Sequence, residues 1–155
     1  WTFGILGENL TVSGLDETQI HVGDIYKIGE ALVQVTQPRE PCYKFGVKFG
    51  TQAVLKQFIE HGFPRTYVKV QREGFVKLGD EVNLVQRAND SLTIFQFFKL
   101  LYAKDKNQKH LMLAIKRYQD KLSKQNNGVS YPWGIVCANV ENDCWRIYKG
   151  KNIDK

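Results

Sequence analysis

No apolar run in this 155-residue chain approaches the roughly 20 residues that a membrane-spanning helix needs. No Cys-x-x-Cys pair occurs either, and Cys42, Cys137 and Cys144 make an odd set. That pattern argues against a disulfide framework or a structural zinc site and suits a reducing, cytoplasmic setting. No basic segment is interleaved with stacking aromatics. The formal charge of +6 therefore reads as a solvated cationic surface, and nucleic acid is disfavoured as a partner. Flavin, haem and iron–sulfur motifs are missing, so any electrons used in chemistry come from elsewhere. The start, Trp1-Thr2-Phe3-Gly4-Ile5-Leu6-Gly7, has no initiator Met and no basic-then-apolar leader pattern, which reads as a truncated chain, not a secreted one.

What is present is ordinary for a globular domain: 43% apolar and 25% charged residues, in a chain long enough to bury one core without disulfides or metals. The first ninety residues read as strands and turns. Val22 to Ile28 and Ala31 to Gln37 alternate apolar with polar residues around Gly29-Glu30, the period of half-buried strands in a hairpin. Thr66 to Gln71 and Phe75 to Val85 supply further strands, and the repeated Gly-Asp phrase at 23–24 and 79–80 predicts a tight turn each time. Between them Val54, Leu55, Phe58 and Ile59 share one helical face, with Thr51 placed to cap that helix and Gly62 to end it.

A body over residues 1–89 thus gives way at Asn89-Asp90-Ser91 to a helical appendage over 90–125. Asp90 or Ser91 is its expected N-cap, Leu92, Ile94, Phe95, Phe98, Leu101 and Tyr102 its apolar stripe, and two more helical stretches are expected near 108–114 and 115–123. A tail over 126–155 carries two expected strands, at 133–140 and 144–151. The predicted class is mainly β with α.

The segment Gln37-Pro38-Arg39-Glu40-Pro41-Cys42-Tyr43-Lys44 concentrates the chemistry. Two prolines fix φ twice just after a strand, giving a stiff loop that presents Cys42 between Arg39 and Lys44. Neighbouring cations favour a thiolate, the nucleophilic and metal-binding form of the side chain. The alternative is a cysteine acting as a small buried hydrophobe, and spacing alone leaves both open.

In order, Gly7-Glu8-Asn9-Leu10, Gly14-Leu15, Val22-Gly23-Asp24, Gly29-Glu30-Ala31 and Gln37 to Lys44 resemble the MOSC domain, the C-terminal domain of molybdenum cofactor sulfurases. The branch resembled best is the bacterial one implicated in detoxifying hydroxylaminopurines, which carries a three-helix appendage where residues 90–125 stand. The resemblance implies a β-barrel-like body that binds the molybdenum-pterin cofactor (Moco), with Cys42 ligating molybdenum or carrying a persulfide sulfur. It also implies that Arg39 and Lys44 contact the cofactor's phosphate or pterin, and that Glu8 and Asn9 hydrogen-bond pterin nitrogens or brace the loop. The expected activity is reduction of small N-hydroxylated compounds with a separate electron-donor reductase. The alternatives are a sulfur-carrier or cofactor-delivery module and a cofactor-free remnant. The family's opening strands and a His-Gly-Gly segment would precede Gly7, so the tail over 126–155 is expected to pair with the edge they leave open.

Overall fold

The computed structural model describes residues 8–125, 140–141 and 144–147, with side chains described for 8–116. In chain order the elements are β1 (Ile25–Ile28), β2 (Ala31–Pro38), α1 (Tyr43–Lys48), α2 (Ala53–His61), β3 (Thr66–Arg72), β4 (Gly74–Lys77), β5 (Val82–Gln86), α3 (Ile94–Tyr102), α4 (Gln108–Gln125), β6 (Val140–Glu141) and β7 (Cys144–Ile147). The mainly β architecture with helices holds. The expected barrel closure does not. The larger sheet is open, ordered β3-β2-β1-β5 with all its pairs antiparallel, and β3 and β5 lie on opposite edges with no strand joining them among the described residues. The second sheet is ordered β4-β7-β6, so β7 of the tail runs beside β4 and does not bridge the two edges of the first sheet. Residues 133–139 of the other expected tail strand, and Cys137 with them, lie outside the described residues.

The hairpin forms because its apolar residues fall on one face. Tyr26 and Ile28 of β1 and Ala31, Val33 and Val35 of β2 are all buried, and they join Val70 and Val76 in the sheet core. The turn is closed by Gly29 at φ 52°, a left-handed conformation. Glu30 then fastens β4 beside the turn: its N–H donates to the Phe75 carbonyl at 3.0 Å and its carboxylate accepts the Phe75 N–H at 3.2 Å. A Cβ on Gly29 would run into the Asp80 carboxylate and the Phe75 carbonyl. Gly29→Ala is expected to destabilise the fold by about 1–3 kcal/mol, read as a lower urea midpoint, because strain and clash add.

Both Gly-Asp phrases are the expected turns, and they share one construction. The Asp24 N–H returns to the His21 carbonyl at 3.1 Å while its carboxylate accepts the His21 N–H at 2.9 Å; the Asp80 N–H returns to Lys77 at 3.2 Å and its carboxylate accepts the Lys77 N–H at 2.9 Å. Gly23 and Gly79 take the positive φ such a turn requires, 99° and 88°. Asp24 goes further. It is fully buried, accepts the Ala88 N–H at 2.8 Å and pairs with the Arg87 guanidinium at 2.7 Å, so it ties the start of β1 to the end of β5. The Arg87 Nη1 also donates to the Gln19 carbonyl at 2.6 Å and lies 2.8 Å from the His21 Nδ1.

Burial raises the Tyr26 phenol above its ordinary range, the Asp24 carboxylate adds to the shift, and Arg87 opposes it. A raised value means that the folded state holds this proton more tightly than the unfolded chain does. Stability is therefore lost as pH climbs from the ordinary tyrosine value of about 10 through the folded one. Urea midpoints at neutral and high pH should show a steeper alkaline loss in the parent chain than in Tyr26→Phe.

The helical region begins later than the sequence suggests. Thr93, not Asp90 or Ser91, is the N-cap of α3: its hydroxyl accepts the Gln96 N–H at 3.1 Å and the Gln96 side chain accepts the Thr93 N–H at 3.0 Å. Asp90 is instead a turn residue at φ 47°, and Ser91 donates its hydroxyl to the Val22 carbonyl. The stretches expected at 108–114 and 115–123 run together as α4, because no Gly or Pro interrupts residues 108–125. Of Leu111, Leu113, Ile115, Tyr118 and Leu122, which their spacing would pack against the first helix, Leu113 faces Val22, Leu92 and Phe97 together with Ala114, Ile115 is exposed, and the side chains of Tyr118 and Leu122 lie outside those described.

A second core of Phe45, Val54, Phe58 and Phe98 gathers α1, α2 and α3, with Phe49, Leu55 and Ile59 packed around it. Ile94 lies in the sheet core and Phe98, one turn on, lies in this one. α3 is therefore the bar that fixes the two cores relative to each other.

Candidate functional site

Cys42 sits at the junction of these two cores. The last β2–β3 pair is Pro38 with Thr66, and the ladder is extended by one step where the Arg39 N–H donates to the Arg65 carbonyl at 3.0 Å. Two residues, Glu40 and Pro41, then separate this anchor from Cys42; of the two prolines expected to bracket a loop, Pro38 is the last residue of β2 and only Pro41 lies in the connection. The chain next enters a helix that its sequence did not announce. Cys42 occupies the N-cap position of α1 with extended φ and ψ of −123° and 171°, and its carbonyl accepts the Phe45 N–H at 2.9 Å. The thiol is exposed and makes no side-chain capping bond. The buried-hydrophobe alternative is thereby removed.

Rings hold this junction from below. Phe45 meets Phe49 at 4.7 Å and Phe58 edge-on at 5.4 Å; Phe58 meets Phe98 at 6.1 Å, and Phe98 meets Tyr102 at 4.9 Å. The Arg39 guanidinium lies 6.0 Å from the Phe45 ring centre, at cation–π range. Gln52 steadies α1 through its side-chain amide, which donates to the Tyr43 carbonyl at 3.4 Å. Residues on three helices thus immobilise the cysteine segment.

The structure keeps Arg39, Cys42 and Lys44 together on one short segment, with Arg39 half-buried and Lys44 exposed. Glu8 and Asn9 lie on a separate stretch of chain ahead of β1, outside every helix and strand. They lead into Leu10, which packs on the sheet core, and Glu8 is half-buried while Asn9 is exposed.

Two neighbours were not legible in the sequence. Arg65 is held at φ 72° between the fully buried Pro64 and the Arg39 bond, and its guanidinium lies 3.5 Å from the buried Glu17 carboxylate. A non-glycine residue with positive φ stores backbone strain and recurs at functional sites, but nothing in the letters Phe-Pro-Arg-Thr announces it. Tyr102 stands at the end of α3, where burial and then the Glu40 carboxylate raise its phenol above the usual range. Only the fold brings Glu40 of the cysteine loop to that helix end.

Among the described residues no group of three or more His, Cys, Asp and Glu side chains could cage a metal ion. No helix among them is long and apolar enough to cross a membrane.

Residues 1–83, more than half of the chain, match the MOSC domain model, and the chain belongs to the MOSC domain family. Among individual proteins it is similar to YflK of Bacillus subtilis (strain 168), 37% identical over 101 residues that make up 65% of this chain and 46% of YflK. It is also 29% identical over 103 residues to a protein named Reductase from Gibberella moniliformis, covering 66% of this chain and 18% of that one. The crystal structure of YiiM from Geobacillus stearothermophilus superposes with a TM-score of 0.71 at 31% identity, covering 81% of this chain and 67% of that chain. The chain spans less than half the length of these two curated relatives.

Proposed function

We propose that this chain is a molybdenum-cofactor-binding MOSC domain that reduces N-hydroxylated compounds, hydroxylated purines among them, with Cys42 as the protein's ligand to molybdenum. The observation that carries the reading is the exposed Cys42 thiol on a segment anchored at Arg39 and Phe45. The residues fit the group. A thiolate is the soft donor that molybdenum held by sulfur ligands accepts, and Arg39 and Lys44 are cations of the kind that pair with an anionic phosphate. Glu8 offers an acceptor, and Asn9 both a donor and an acceptor, for pterin nitrogens. The similarity to a protein named Reductase supports a reductive role.

When bound, the cofactor supplies two-electron chemistry, R–NHOH + 2 e⁻ + 2 H⁺ → R–NH₂ + H₂O. The chain's own residues hold it and keep Cys42 in place, while a separate electron-donor reductase delivers the electrons. Exposure of the thiol also suits the second reading, a sulfur carrier in which Cys42 bears a persulfide. Cyanide and molybdenum analysis together separate the two, since cyanide takes the outer sulfur of a persulfide in the absence of metal: R–S–S⁻ + CN⁻ → R–S⁻ + SCN⁻. Purified protein that contains molybdenum and yields no Cys42-dependent thiocyanate supports the reductase. Thiocyanate that disappears in Cys42→Ser, from protein without molybdenum, overturns it in favour of the carrier.

A further inference from the structure

Helix α1 buries one side and leaves an unusual one in water. Phe45 and Gly46 face the ring cluster and are buried, whereas Tyr43 is 66% and Val47 68% exposed. Residues 43 and 47 are one helical turn apart and form a single apolar stripe. Lys44 and Lys48, also one turn apart, form a cationic stripe beside it, with Lys44 exposed. The helix starts at the residue after Cys42, so both stripes adjoin the exposed thiol. A small apolar strip bordered by cations and set next to an exposed thiol is the make-up of a transient docking surface.

From this we infer that the outer face of α1 is the docking surface for an acidic electron-carrier protein. The inference rests on the reading that electrons reach the Cys42 site from a separate donor. Charge selects the occupant. The chain carries +6 and the face itself is lysine-edged, so a second copy of the chain would oppose like charges, while an acidic carrier meets complementary ones. An anionic membrane fits less well: six residues make a helix only about 9 Å long at 1.5 Å per residue, against the longer amphipathic helices that lie in a bilayer surface.

The test uses a [2Fe–2S] ferredoxin as probe, titrated into the whole chain by calorimetry at low salt and at about 300 mM salt, where screening is strong. The expected result is binding that weakens as salt rises. Affinity should fall by roughly tenfold or more in Val47→Ser/Lys48→Glu, and by less than about twofold in Lys27→Glu, an exposed lysine on β1. Equal affinity in the parent chain and the α1 variant would overturn the proposal, as would capture by phosphatidylserine vesicles or an oligonucleotide without ferredoxin binding. Molybdenum content and melting temperature, measured on the same preparations, keep the two readings apart. Molybdenum present with α1-independent binding rejects the docking surface alone. Molybdenum missing with α1-dependent binding rejects the reductase reading and leaves the surface standing.

Discussion

Asp24→Ala is expected to lower the unfolding free energy by about 2–5 kcal/mol, most of it from the two backbone donors it leaves without a partner. Asp24 is 0% exposed and accepts hydrogen bonds from the His21 N–H, the Ala88 N–H and the Arg87 guanidinium. Truncation strands two backbone donors inside the protein, each costing about 1–3 kcal/mol when left unpaired. The Arg87 side chain is 43% exposed and recovers water, so its share is the smaller one. The damage spreads along the chain. Residues 20–22 pair with 91–94 through the Val22 N–H to Leu92 carbonyl bond at 2.9 Å and the Ile94 N–H to Ile20 carbonyl bond at 2.8 Å. Loosening the Asp24 turn therefore frees the N-terminus of α3, and with it the Phe98 support beneath Cys42. A urea midpoint within experimental error of the parent chain would contradict this account.

Cys42→Ser is expected to separate stability from function. The residue stands at a helix N-cap with its side chain uncommitted, and serine is among the residues preferred there because its oxygen accepts an N–H of the first turn. Serine should therefore stabilise the fold by a few tenths up to about 1 kcal/mol, read as a small rise in melting temperature. A better local residue is passed over at this position. Cysteine there makes sense if the sulfur is used, which is the trade between stability and activity that functional positions show. If the proposed reductase reading holds, reductive activity should fall by roughly tenfold to a hundredfold when the sulfur is lost, in line with losses at metal-binding shells.

Alternation made the hairpin legible before the structure: Tyr26, Ile28, Ala31, Val33 and Val35 all face inward as their spacing requires. The two Gly-Asp turns and the left-handed Gly62 ending α2 were equally readable, because positive φ leaves few residue choices. Helix α1 was not. Six residues with Gly46 inside have too little propensity to announce a helix, and burial of Phe45 against Phe58 holds it instead. The start of α3 was misplaced because Asp90, Ser91 and Thr93 are all capping residues, and only the Gln96 partner of Thr93 decides among them. Barrel closure was inferred from resemblance, whereas strand pairing depends on which edges meet; β3 and β5 do not. Cys42, Arg39 and Lys44 could be named from one short segment. Arg65 and Tyr102 could not, since contacts between distant parts of the chain bring them to the site.

Cys42 as a molybdenum ligand is tested most directly by elemental analysis of the parent chain and Cys42→Ser, both purified from cells supplied with molybdate. Molybdenum that copurifies with the parent chain and drops by roughly tenfold or more in the serine variant, with the fold at least as stable, is the predicted result. Equal molybdenum in the two proteins would contradict it.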